Sequence, residues 1–211
     1  MTLAVLADEQ GKQELLAKGI AAEVEVIWAD AVRSLVMIDA DLYIDLLFEL
    51  DVERTAKLKQ LLPKPVVVNA VTWPTKTIGG HFIRVNGWPG MLQRPVIEIA
   101  AKENELSEEV KNYFEQLQWK YQLVPDEPGM ITPRVLSMII NEAYFTLGDE
   151  VSTKEEIDIA MKLGTNYPLG PFEWSEKIGL KKIHELLNAL GKKDSRYVIA
   201  PALEKEIQKQ Y

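Results

Sequence analysis

Side chains able to exchange a proton at neutral pH are scarce in this sequence. Only two histidines occur in 211 residues, His81 in "GGHFIRV" and His184 in "KKIHELL". Imidazole is the usual general acid or base near neutrality, so these two bound the possibilities for such chemistry. His184 lies within a helical pattern and reads as a helix-surface or half-buried side chain. His81 opens a run with strand character. Cysteine is absent, which excludes disulfides and thiolate metal sites, and no metal site is expected. Thirty-two acidic residues against twenty-four basic ones leave a formal net charge of -8. That balance excludes a nucleic-acid role, which needs clustered Lys and Arg. The densest basic pairs, Lys181-Lys182 and Lys192-Lys193, read as solvated helix ends.

The elements that must position any site follow from periodicity. "TLAVLAD" reads as a buried first strand, and "EQGKQELLAKGI" as a helix with Leu15, Leu16 and Ile20 at helical spacing. "EVEVIWAD" is a second strand in which Val24, Val26 and Trp28 alternate against Glu23, Glu25 and Ile27. "ADLYIDLLFEL" is a third strand, "DVERTAKLKQLLPK" a helix and "PVVVNAV" a fourth strand. Two more strands flank the "NGWPG" turn, and "SEEVKNYFEQLQ" is a helix. This is the rhythm of an α/β layer with a mostly parallel sheet. Prolines and a glycine in "VPDEPG" mark a boundary, giving domains 1–127 and 128–211. Beyond it the pattern is helical throughout. Val135, Met138, Ile139, Ala143 and Leu147 follow the spacing of a long core helix. Ser152 with Glu155, and Thr153 with Glu156, are candidate capping boxes, Gly164 is placed to stop that helix, and Pro171 to start the next. The N-terminus lacks the basic region of a secretory leader, and no run is long enough to span a membrane, so a cytoplasmic location is expected.

The stretches "DEPGMITPR" and "INEAYFTLGDEVSTKEEIDIAMKLGTNYPLGPFEWSEKIGL" resemble the C-terminal domain of the 3-hydroxyacyl-CoA dehydrogenase family. Upstream, "ADLYIDLLFE", "VVVNAV" and "FIRVNGWPGMLQRPVIEIA" resemble, more weakly, its nucleotide-domain strands and the segment carrying its catalytic pair. The resemblance implies a reduced Rossmann-like domain followed by an all-α domain of the 6-phosphogluconate-dehydrogenase-like kind. It also implies NAD-dependent oxidation of a 3-hydroxyacyl-CoA to the 3-ketoacyl-CoA in fatty-acid metabolism, and a homodimer formed by the helical domain. A histidine would take the hydroxyl proton, and a glutamate would orient that histidine.

At the matching positions this chain carries Glu98, the family glutamate, and Asn86 twelve residues before it, where the histidine is expected. A carboxamide accepts no proton at neutral pH and is not a general base. His81 lies five positions before Asn86, so a regular strand turns it to the opposite side. Pro133 stands at the substrate-site asparagine and Val71 at a serine position. A dinucleotide site needs glycines after the first strand, and Ala7, Glu9 and Lys12 occupy those three places. Asp30, ending the second strand, is spaced to hold a ribose hydroxyl or, equally, to cap a turn. The resulting expectation is a dehydrogenase-like oxidoreductase scaffold whose activity is impaired or lost and which holds no cofactor, NAD being implied by resemblance only. The alternative is a non-catalytic acyl-CoA-binding, regulatory or dimerising protein on the same scaffold.

Overall fold

The computed structural model describes residues 1–210. They form two compact units, the first Met1–Met130 and the second beginning at Ile131.

The first unit is a seven-stranded sheet. Its elements in chain order are β1 (Thr2–Leu6), α1 (Glu9–Lys18), β2 (Glu25–Ala29), α2 (Val32–Leu35), β3 (Leu42–Asp45), α3 (Val52–Leu58), β4 (Val66–Val68), α4 (Thr75–Ile78), β5 (Ile83–Val85), β6 (Val96–Ala100), α5 (Glu108–Gln116) and β7 (Lys120–Leu123). The sheet order is β2-β1-β3-β4-β5-β6-β7, parallel except where β5 meets β6. Parallel interior strands are covered on both faces and must be apolar on both, which is why "VVV" in β4 is wholly buried. One face packs Leu3, Val5, Ile44 and Val85 against Leu15 of α1 and Phe114 of α5. The other packs Leu6, Tyr43 and Val68 against Leu35, Leu58 and Ile78 from α2, α3 and α4. Val24, Val26 and Trp28 share the α1 face, as their alternation predicts. The seventh strand, "KYQL", was not expected. Its exposed and half-buried residues carry little apolar signal, and pairing with β6 alone makes it a strand.

The second unit comprises α6 (Thr132–Gly148), α7 (Lys154–Thr165), α8 (Pro171–Ile178), α9 (Leu180–Gly191) and α10 (Pro201–Gln210). Helix α6 packs against α8, α9 and α10. Its buried face is Leu136, Ile140 and Tyr144, with Asn141 accepting from Ala200 N–H at 2.9 Å and donating to Val198 O at 2.8 Å. The stripe expected in the core is turned outward along much of its length. Val135 is 55% exposed, while Met138 and Ile139 are half-buried. Two apolar stripes compete on this helix, and contact with α8–α10 selects the other. Of the two capping boxes, Thr153 with Glu156 forms. Helix α7 runs through Gly164 and ends on Asn166, whose φ of 56° is the left-handed cap expected two residues earlier of glycine.

The "LGPFEW" turn is built around Asp158 of α7. Its carboxylate accepts from Phe172 N–H at 2.8 Å and Glu173 N–H at 3.1 Å, holding the free amides of the α8 N-terminus. Glu173 reaches back to accept from Gly170 N–H at 2.8 Å and pairs with Lys162. The motif therefore joins two helices and carries no reacting group of its own.

Candidate functional site

The ladder between β5 and β6 pairs Arg84 with Ala100 and Val85 with Ile99. It continues one step, with Asn86 N–H donating to Glu98 O at 3.0 Å. Directly opposed residues of an antiparallel pair put their side chains on one face about 5 Å apart. Asn86 and Glu98 are thus brought together at the carboxyl end of β5, as the spacing around "NGWPG" predicts. Asn86 is 3% exposed, and its Oδ1 accepts a long 3.4 Å bond from Trp88 N–H. Glu98 is half-buried.

The turn after Asn86 is held from two sides. Asn69, just beyond β4, accepts from Gly87 N–H at 3.0 Å and donates to Gly87 O and Leu46 O, each at 3.1 Å. Gly87 is required by this approach, since a β-carbon there would lie 2.8 Å from Asn69 Cγ. From α1, the buried Glu14 accepts from Gly90 N–H at 2.6 Å. Neither anchor was foreseen. Both lie far from the turn in sequence, and a lone Asn or Glu gives no local signal.

The remaining candidates belong to other elements. His81 is exposed and precedes β5, whereas Asn86 follows it. His184 belongs to the helical unit, with Nε2 3.1 Å from Glu204 Oε1. Pro133 sits in the first turn of α6 and is buried. The exposed Asp30 carboxylate accepts from the Ser34 hydroxyl, which holds its pKa below the ordinary carboxylate value. In the turn from β1 to α1, Asp8 caps the helix by accepting from Gly11 N–H at 2.8 Å.

Two buried ion pairs brace the ends of β3 and β5. Arg84 is fully buried and directs all five N–H groups at acceptors: Ala70 O, Val71 O, Glu127 O and Asp126. Asp126 also accepts from Thr75 N–H and hydroxyl. Asp45, closing β3 and fully buried, takes a bidentate contact from Arg54 at 2.6 and 2.8 Å. Burial raises the Asp45 pKa above the usual carboxylate value, outweighing the opposing pull of Arg54. A carboxyl group raised in the folded state favours folding at low pH and loses that contribution as pH rises through its folded pKa. Arg54→Met removes the opposing pull, so it should destabilise the protein more at pH 7 than at pH 5. Urea midpoints for wild type and variant at both pH values check this, and an equal loss at the two would contradict it.

Chemically, the Asn86–Glu98 arrangement offers one amide donor and one carboxylate on a rigid turn. It can orient a polar group, but it lacks a base of the imidazole kind.

The chain is similar in sequence and in fold to known proteins. Residues 129–211 match the family described as 3-hydroxyacyl-CoA dehydrogenase, C-terminal domain. The chain is 35% identical over 137 residues to 3-hydroxybutyryl-CoA dehydrogenase of Bradyrhizobium diazoefficiens, covering 64% of this chain and 46% of that protein. It is 34% identical over 149 residues to the probable 3-hydroxybutyryl-CoA dehydrogenase of Bacillus subtilis, covering 70% and 51%. The matches thus span about half the length of these relatives. In fold, the chain is similar to the (S)-3-hydroxybutyryl-CoA dehydrogenase of Ralstonia eutropha, with a TM-score of 0.74 at 20% identity, over 100% of this chain and 94% of that one. Among the described residues no helix is long and apolar enough to cross a membrane. A Rossmann-like sheet, a helical unit and the residues shared with these relatives together assign the chain to the 3-hydroxyacyl-CoA dehydrogenase family.

Proposed function

We propose that this family member does not run the dehydrogenase reaction and instead serves as a non-catalytic acyl-CoA-binding or dimerising protein. The observation that supports this most is Asn86 standing opposite Glu98. The pair is positioned for chemistry, yet the member that should take the proton is a carboxamide. Loss of general acid–base help costs on the order of a hundred- to ten-thousand-fold in rate. His81, the histidine of the same unit, does not replace it, since it precedes β5 whereas Asn86 follows that strand. Purified protein with acetoacetyl-CoA and NADH should show no loss of NADH absorbance above background. Turnover of about one per second, the low end of ordinary enzymes, would refute the reading.

Dimerisation is supported by the outward face of α6. Val135, Met138 and Ile139, with Ile157 and Met161 of α7, line an apolar groove of about 650 Å3 flanked by Arg134, Arg196 and Glu142. A two-fold copy sets this stripe against itself and brings flanking charges of opposite sign together, as isologous interfaces require. Light scattering at micromolar concentration should give twice the chain mass, and Met138→Glu should halve it. A monomeric wild type would rule this out.

A further inference from the structure

An open α/β sheet takes a dinucleotide where β1 and β3 part, with its phosphates on the N-terminus of the helix after β1. In this chain we infer that the crevice is filled by the protein's own groups and refuses the cofactor. The inference deepens the reading above, resting on it only for the cofactor that the family implies.

Five observations bear on it. The Asp8 carboxylate already occupies the end of α1, accepting from Gly11 N–H at 2.8 Å, so an internal anion stands where a phosphate would. The space directly beside Gly11 is tight. A single β-carbon there would meet Asp8 Oδ1 and Leu46 Cδ1 at 3.2 Å and Ala7 Cβ at 3.4 Å. Leu46 is fixed in that position, being buried and donating its N–H to Leu6 O at 2.9 Å, which laces the ends of β3 and β1 together. The neighbouring side chains are unsuited as well. Glu9 adds a second exposed carboxylate in the first turn of α1, repelling phosphate. Lys12, the cation that would offset it, lies 5.2 Å over the Trp28 ring. Asp30, the ribose candidate, accepts from the Ser34 hydroxyl through one oxygen. The positions that the phosphates of a dinucleotide would use are therefore filled or of the wrong sign.

The experiment is a titration of the full chain with NADH, followed by quenching of protein fluorescence and by calorimetry. Wild type should show no saturable binding at micromolar NADH. The triple variant Asp8→Gly, Glu9→Gly, Lys12→Gly, checked for native circular dichroism, should bind at least about tenfold more tightly, since each 1.4 kcal/mol is a factor of ten. A wild-type dissociation constant in the micromolar range would overturn the inference. So would a folded triple variant that binds no better than wild type. Binding without turnover would sink this inference alone, because the missing base would still stand; turnover would sink the functional reading.

Discussion

Replacing Arg84 by methionine should cost about 3–5 kcal/mol of stability, the range for removing one member of a buried ion pair. The loss comes from what stays behind. Asp126 Oδ1 loses the guanidinium at 2.7 Å, and the carbonyls of Ala70, Val71 and Glu127 lose donors within the same desolvated space. Methionine restores most of the volume and none of the hydrogen bonds, so cavity formation contributes little. The four acceptors come from the segment after β4 and from residues 126–127, so the arginine ties the two to β5. Because domains of this size have about 5–15 kcal/mol in all, the variant should sit near its unfolding threshold at room temperature. A urea midpoint gives the answer. A shift worth less than about 1 kcal/mol would show that water or a rearranged carboxylate replaces the arginine.

Gly170→Ala should be nearly as damaging, on the order of 3 kcal/mol, although it adds a single methyl. Gly170 has φ -72°, so backbone freedom is not the reason for glycine. The reason is contact: a β-carbon there falls on the Asp158 carboxylate. Either the carboxylate withdraws, leaving Phe172 and Glu173 N–H unpaired at the start of α8, or α7 and α8 separate. This makes a specific claim about coupling. In an Asp158→Gly background all the contacting atoms of residue 158 are gone and the methyl has room, so Gly170→Ala should cost under about 1 kcal/mol there. Equal costs in both backgrounds would show that the clash is not the cause.

Much of the site was legible from the residues. The twelve-residue spacing between Asn86 and Glu98 is a hairpin-like connection, and a short antiparallel return brings its ends together by geometry alone. The Thr153 cap, the Pro171 helix start and the alternation of Val24, Val26 and Trp28 are local patterns too. The supports of the site were not legible. Glu14 reaches Gly90 across 76 residues, Asn69 reaches Gly87 across 18, and Arg84 reaches Asp126 across 42. An arginine between Ile83 and Val85 in a buried strand is a signal that something must pair with it, but it does not name the partner.

By itself, then, the sequence determined the order and type of most elements, because periodicity and capping are set by neighbours three or four residues away. It also determined the family, through the run around "LGPFEW", and the absence of an imidazole opposite Glu98. Tertiary structure decided which of two apolar stripes on α6 enters the core, since both satisfy helical spacing and only contact with α8, α9 and α10 breaks the tie. It made a strand of "KYQL", whose residues pair with β6 and would be indifferent alone. And it set Leu46 beside Gly11, because Leu46 arrives there from the end of another strand, which no pattern within residues 1–12 could reveal.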